Sequence, residues 1–136
     1  MMKEAIKVYV EKAEDGTYWG STQNIPGGVS AYGNTLEDLK INLKQAYEDY
    51  LEVAGEFNED WLEEVKNMKE FEYNLDIPSF FKLLPIKISA IAKKAGINPS
   101  LMRQYATGKA NASEQRAKQI EKAIHELGKD LLSVSL

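Results

Sequence analysis

The chain has 136 residues, 43% of them hydrophobic and 28% charged, so it can bury one ordinary core or two small ones. It contains no cysteine, which excludes disulfide bridges, thiolate catalysis and cysteine-bound zinc and fits a reducing compartment. The sequence offers no apolar run long enough for a signal peptide or a membrane span, so we expect a cytoplasmic protein that makes no membrane contact.

The net charge of −4 is divided unequally along the chain. Residues 1–78 hold 7 Lys, no Arg and 17 Asp or Glu, a net charge of −10. Residues 79–136 hold 8 Lys, 2 Arg and 4 Asp or Glu, a net charge of +6. This division predicts two domains, 1–78 and 79–136, that face different partners. For the acidic half, the alternative that its charges only keep the surface solvated stays open.

Alternating patterns in the first part of the chain predict three short strands. In "IKVYVEK" the apolar residues Ile6, Val8 and Val10 alternate with Lys, Tyr and Glu, as in a half-buried strand. The Asp-Gly pair at 15–16 predicts a hairpin turn, and "TYWGSTQ" predicts the returning strand. The "PGG" at 26–28 ends that strand, and "VSAYG" predicts a third.

The period changes at Thr35, where "TLED" is typical of a capping box, in which the threonine hydroxyl accepts from an early amide and Asp38 reaches back. The apolar stripe that follows predicts a long helix ending near Gly55, and residues 59–69 predict a shorter one. "FEYNLDI" then alternates as a strand closed by Pro78. The predicted class is α+β, a small antiparallel β-β-β-α-β domain followed by an all-α domain.

The second half of the chain is helical throughout. "SFFKLL" predicts a short helix, and "KISAIAKKAG" predicts another that ends at Gly96. The next helix is capped by Asn98 and ends at Gly108, and the last is capped by Ser113. The predicted buried seam of the last helix comprises Ala117, Ile120, Ile124, Leu127 and Leu131.

Two short helices joined at Gly96 indicate a helix-turn-helix. Ala92 supplies the small residue where the two helices approach most closely, and Gly96 supplies a residue that tolerates positive φ in the turn. Ile97, Met102 and Tyr105 have the spacing of apolar side chains that pin the second helix to the core. The residues between them then point outward.

With "TGK" after its second helix, the stretch 79–130 resembles the Cro/phage-repressor class of helix-turn-helix domains. The outward positions are those that a major groove would meet, and the lysines nearby are placed to hold phosphates. The predicted contacts to double-stranded operator DNA are Asn98, Ser100, Leu101, Arg103 and Gln104 for bases and Lys93, Lys94 and Lys109 for phosphates. With only two Arg, one copy should bind weakly, which favours a homodimer or homotetramer. An ordinary four-helix bundle without a DNA role is the alternative.

The acidic half resembles the HicB antitoxin family over residues 6–52. The features that match in order are the acidic "DG" hairpin, the "PG" turn and the helix start "GNTLED". This resemblance implies a fold related to a truncated ribonuclease H, partnership with a small HicA-like toxin that cleaves mRNA, and repression of the operon that encodes the pair. Two features depart from the family pattern, namely Val29 after "PGG" and the helical insertion at 59–69.

A toxin that grips RNA must present a basic surface, which a module of charge −10 is suited to cover. The candidate toxin-binding residues are Glu11, Glu14, Asp15, Glu48, Asp49 and Glu52. The plain alternative is again a solvated acidic face.

The sequence predicts a protein without catalytic activity, metal or cofactor. No acidic residue interrupts an apolar strand centre, no Gly-rich phosphate loop or nucleophile elbow is present, and His125 is predicted at the surface of the last helix. Two alternatives stay open. One is a stand-alone transcription regulator whose α+β half dimerises or senses a ligand. The other is a ribonuclease H-like enzyme that uses Glu11 and Asp15 with metal ions.

Overall fold

The computed structural model describes residues 4–136, which form two compact units, one ending at Asp76 and one spanning Ile77–Leu136. The N-terminal unit holds a four-stranded sheet and two helices, and the C-terminal unit is entirely helical, so the α+β class is confirmed. The elements of the N-terminal unit are β1 (Ile6–Lys12), β2 (Tyr18–Thr22), β3 (Ser30–Gly33), α1 (Leu36–Glu56), α2 (Leu62–Lys66) and β4 (Phe71–Asn74).

The sheet has the strand order β3-β2-β1-β4 and is mixed. The predicted hairpin is present, since β1 pairs antiparallel with β2 and places Val10 opposite Gly20. The prediction of a wholly antiparallel sheet is wrong, because β4 runs parallel to β1 with Phe71 opposite Ile6. The chain crosses over through α1 and α2 between β3 and β4, and such a crossover returns the last strand in the direction of β1.

The core of the N-terminal unit lies between the sheet and α1. The predicted alternation of β1 is confirmed, because Ile6, Val8 and Val10 are buried. Leu39 and Leu43 of α1 are fully buried as well. The opposite face of the sheet carries the polar and aromatic residues of the alternation and remains exposed.

The start of α1 is confirmed at Thr35, whose Oγ1 accepts a hydrogen bond of 3.0 Å from the amide of Asp38. The two later elements are shorter than predicted. α2 covers only five residues of the 59–69 segment, and β4 ends at Asn74. Pro78 does not close the strand but lies in the first turn of the next helix, a position where proline's missing amide costs no hydrogen bond.

The C-terminal unit packs its helices around one apolar cluster. Its elements are α3 (Ile77–Leu83), α4 (Ile88–Ala95), α5 (Pro99–Thr107) and α6 (Glu114–Ser133). The buried members of the cluster are Ile91, Ala92, Ile97, Met102, Tyr105, Ile120 and Ala123. The predicted seam of α6 is wrong at Leu131, which is 61% exposed because the buried part of the helix ends before that turn. Within residues 4–136, no helix combines the length and apolarity needed to cross a bilayer.

Candidate nucleic-acid interface and acidic surface

The turn between α4 and α5 has the geometry predicted for a helix-turn-helix. Gly96 ends α4 in the left-handed conformation, with φ of 70° and ψ of 31°. The amide of Ile97 donates a hydrogen bond of 3.0 Å to the carbonyl of Ala92, which closes the turn. Ala92 is fully buried, and its small side chain permits the close approach of the two helices. This turn fixes the direction in which α5 leaves α4.

Three buried residues determine which face of α5 points to solvent. Ile97, Met102 and Tyr105 are all buried in the helical core, as their spacing predicted. Ser100, Arg103 and Gln104 are exposed on the opposite side of the helix. The first two turns of α5 therefore present a hydroxyl, a guanidinium and an amide on one accessible face.

Leu101 differs from the prediction that it points outward. Its side chain is half-buried and packs against the helical core. Leu101 and Tyr105 are four residues apart in α5, so Leu101 lies on the same face of the helix as the buried Tyr105. Leu101 therefore contributes to packing and offers little surface to a nucleic acid.

Asn98 is exposed, but its side chain is engaged in capping α5. The Oδ1 atom accepts a hydrogen bond of 2.8 Å from the amide of Ser100. A bidentate contact to adenine needs both the oxygen and the nitrogen of the amide group. While Asn98 caps the helix, one lone pair of its Oδ1 is occupied and the side chain is held against the helix start, which disfavours such a bidentate contact.

We expect Asn98→Ala to lower the stability of the C-terminal unit by about 1 kcal/mol, because an orphaned helix amide loses its acceptor. Asn98→Asp should keep the wild-type stability, because a carboxylate caps at least as well and favours the helix N-terminus. Thermal unfolding followed by circular dichroism at 222 nm measures the helical signal that this unit dominates. A wild-type unfolding temperature for Asn98→Ala would contradict the capping role.

The three lysines predicted to hold phosphates differ in their surroundings. Lys93 and Lys109 are exposed, and Lys109 follows Gly108, which ends α5 in the left-handed conformation. Lys94 instead forms an ion pair with Asp130 of α6, and this hydrogen bond raises the pKa of Lys94. A phosphate would have to compete with the Asp130 carboxylate for that ammonium group. Lys93 and Lys109 are therefore the better placed cations.

The six acidic residues predicted to bind a toxin are all exposed but do not share one surface. Glu11 lies on the face of β1 that points away from α1, since its neighbour Val10 points into the core. Glu14 and Asp15 lie in the β1–β2 turn, where Asp15 Oδ1 accepts hydrogen bonds from the hydroxyl and the amide of Thr17.

The Thr17 hydroxyl, aided by the Thr17 amide, lowers the pKa of Asp15, so this carboxylate has a local role in shaping the turn. The remaining three acids, Glu48, Asp49 and Glu52, lie on α1. The sheet thus separates the predicted set into a turn and strand group and a helix group. Within residues 4–136, no three His, Asp or Glu side chains lie together as metal ligands would. His125 is exposed, as predicted.

Sequence reasoning missed an apolar groove at the C-terminal end of α1, which we name the Phe57 groove. Its volume is about 370 Å³, and the residues that shape it are Val29, Asp49, Tyr50, Val53, Phe57 and Trp61. Val53 and Phe57 are 51% and 73% exposed. Both are apolar residues outside the buried stripe of α1, and that mismatch is the signal that the sequence contained.

Aromatic residues also line the open side of the sheet. Trp19 of β2 and Tyr32 of β3 stack with ring centroids 4.8 Å apart, and Tyr9 of β1 is exposed on the same face. Beside this stack lies a cleft of about 570 Å³ whose polar lining includes Asn34 and Asp38. The sequence pattern had placed these strands correctly but assigned no role to their outward aromatic side chains.

Comparison with known proteins gives one partial similarity. The chain is similar to a UPF0150 protein. Over 45 aligned residues it is 40% identical to UPF0150 protein ssl0738 of a Synechocystis species, an alignment that covers 33% of this chain and 61% of that protein. The chain therefore spans less than two thirds of that relative's length. No family model and no solved structure matches the chain.

Proposed function

We propose that the protein is an antitoxin of the HicB type. In this proposal the N-terminal unit neutralises a small, basic, HicA-like toxin that cleaves mRNA, and the C-terminal unit represses the operon of the pair by binding double-stranded DNA. The protein itself performs no catalysis and needs no metal or cofactor. It acts as a homodimer or homotetramer, since operator sites for helix-turn-helix proteins come as paired half-sites.

The single observation that carries the proposal is the exposed face of α5. Met102 and Tyr105 anchor the helix in the core, so Ser100, Arg103 and Gln104 are directed to solvent in its first two turns. The N-terminal residues of such a helix are those that contact base edges in the major groove. Arginine pairs with guanine or phosphate and glutamine with adenine, so this face has the chemistry of base reading.

The charge distribution supports a separate protein partner for the N-terminal unit. A net charge of −10 over residues 1–78 repels nucleic acid and attracts a cationic protein surface. A ribonuclease that grips RNA has such a surface, and an antitoxin must cover it. The similarity to a UPF0150 protein is compatible with this role.

The test of the proposal has two arms. The purified protein should retard a fragment of its own promoter at low ionic strength and should leave a random fragment of equal length largely free. A pull-down from the native host should recover a small basic protein encoded by the adjacent reading frame. If neither fragment is retarded, the repressor half of the proposal fails. If no such protein is recovered and no such gene is adjacent, the antitoxin half fails.

We expect Lys109→Ala to weaken binding to operator and random DNA alike, because a phosphate contact carries no sequence information. The slope of the logarithm of affinity against the logarithm of salt should flatten by up to about one unit per lost contact. Lys94→Ala is the matched control and should change the slope less, because Asp130 already pairs with that ammonium. Fluorescence anisotropy across a salt series measures both slopes. Equal slopes for Lys109→Ala and the wild type would remove Lys109 from the interface.

A stand-alone regulator that senses a ligand has one observation in its favour. The cleft beside β3 offers about 570 Å³ with an aromatic wall at Trp19 and Tyr32, a volume typical of small-molecule sites. A thermal-shift screen of metabolites separates the two functions. A stabilising compound whose effect disappears in Tyr32→Ala would favour the sensor, whereas a basic protein partner favours the antitoxin.

A further inference from the structure

The Phe57 groove is a fixed feature of the surface rather than a frayed helix end. After α1, the amides of Phe57 and Glu59 donate hydrogen bonds to the carbonyls of Val53 and Ala54, at 3.2 and 3.1 Å. Asn58 adopts a positive φ of 51°, which turns the chain sharply directly after Phe57. The backbone that carries the exposed phenyl ring is thus fixed before any partner arrives, which lowers the part of the entropy cost of binding that comes from ordering the chain.

The far wall of the groove is built from two aromatic rings. Tyr50 and Trp61 stack with their centroids 5.3 Å apart, and the Tyr50 hydroxyl donates a hydrogen bond of 2.7 Å to the carbonyl of Pro26. Burial raises the pKa of Tyr50, and Tyr47 and Glu59 add to this effect, so the phenol keeps its proton as donor. The bond ties α1 to the loop that contains Val29, and the groove is closed on that side.

The surroundings of the groove are strongly anionic. Residues 45–65 contain eight Asp or Glu and no Lys, Arg or His. Asp49 and Glu59 lie in the lining itself. The last turn of α1 contains no basic residue, so the negative end of the helix dipole adds to the same field. An apolar depression inside a field of one sign selects a partner with an apolar residue between positive charges.

We propose that the Phe57 groove is the docking site for a cationic protein segment that inserts one apolar side chain between Val53 and Phe57. Lysine or arginine residues of that segment pair with Asp49, Glu59 and the neighbouring acids. The inference rests on the proposed function, since it names the surface through which the basic toxin binds. It selects the α1 group of acids and leaves Glu11, Glu14 and Asp15 outside the interface.

The two parts of the site should contribute in different ways. The apolar contact sits at the centre and excludes water, so its truncation raises the dissociation rate. The acids flank this contact, and their loss lowers the association rate and the salt dependence. This separation makes the groove distinguishable from a general acidic surface, for which an apolar residue would have no effect.

The experiment places the photo-crosslinking residue p-benzoylphenylalanine at position 57 of the full chain in cells of the native host. The matched control places it at position 41, because Ile41 is also an exposed apolar residue of α1 but lies outside the groove, in the lining of the cleft beside β3. We expect position 57 alone to form a crosslink, and mass spectrometry should locate it in a cationic protein at a segment with Lys or Arg beside an apolar residue.

Affinity measurements with that purified protein complete the test. Phe57→Ala should weaken binding at least about tenfold and Ile41→Ala by less than about twofold. Phe57→Ala should leave DNA binding unchanged. Any of three crosslinking results would overturn the inference: a crosslink to a second copy of this chain, an equal yield from position 41, or no crosslink at all. Unchanged affinity of the Phe57→Ala protein for its partner would overturn it as well. If the Phe57→Ala protein binds a basic partner as tightly as the wild type does, the groove is not the docking site but the proposed antitoxin function stands. If no basic partner is found, both the groove proposal and the antitoxin proposal fail.

Discussion

Replacement of Gly33 by alanine will unfold the N-terminal unit or lower its stability by about 3 kcal/mol or more. A Cβ atom at this position would lie 2.5 Å from the backbone nitrogen of Leu39 and 2.9 Å from the backbone carbon of Asp38. These atoms belong to the first turn of α1, which Thr35 caps through the amide of Asp38. The helix cannot move away from β3 without the loss of that cap and of the Leu39 packing. Any rearrangement that removes the clash therefore costs stability elsewhere.

Urea unfolding followed by tryptophan fluorescence measures this effect selectively, because Trp19 and Trp61 both lie in the N-terminal unit. Gly55→Ala is the matched control. Gly55 lies within α1, and a Cβ there would meet only Leu62 Cδ2 at 3.9 Å, an ordinary contact. This change should raise stability by about 0.5–1 kcal/mol, because alanine favours the helix. A Gly33→Ala protein with the wild-type urea midpoint would show that β3 and α1 are farther apart than described.

Gln104→Ala will reduce the discrimination between operator and random DNA by about 1–3 kcal/mol per half-site, which is roughly fivefold to 150-fold. In the proposed dimer, two copies of α5 contact one operator, so the loss counts twice for the pair of half-sites. The physical reason is that a side-chain amide can pair with one base edge and not with the others. Ser100→Ala should change discrimination in the same direction by a smaller amount, since a hydroxyl can form hydrogen bonds with several different bases and so discriminates less between them.

Competition mobility shifts with operator and random fragments at one fixed salt concentration measure this ratio. Gln45→Ala is the control, because it makes the same chemical change on α1, where Gln45 bonds to Asp49 in the N-terminal unit. The ratio of its affinity for operator DNA to its affinity for random DNA should equal that of the wild type. If Gln104→Ala weakens operator and random DNA by the same factor, Gln104 contacts phosphate instead of a base, and the assigned reading face of α5 is wrong.

Much of the fold could be predicted because its signals are local. The period of two in β1, the cap residues Thr35, Asn98 and Ser113, and the positive φ of Gly96 each depend on a few neighbouring residues. The direction of β4 could not be predicted in the same way. Whether the strand joins β1 parallel or antiparallel depends on the route that α1 and α2 take across the sheet, and alternation along β4 is identical in both cases.

The candidate sites show the same limit. The spacing of Met102 and Tyr105 predicted the buried side of α5, but whether Leu101 belonged to it depended on how far that core extends. The sequence could not show that β1 separates Glu11 from the acids of α1. The walls of the Phe57 groove could not be predicted for a related reason, since the hydrogen bond that fixes Tyr50 in one wall joins it to Pro26, 24 positions away in the chain.

The parallel pairing of β1 with β4 has a consequence for the protein during its synthesis. During synthesis β1 emerges before β4, so its second edge stays uncovered until Phe71 follows, and a ribosome that stalls between them leaves that edge open to other nascent chains. The helices of the C-terminal unit follow one another closely along the chain, so their contacts form soon after they emerge. Vectorial synthesis thus exposes the acidic unit to misassembly for longer than the basic one.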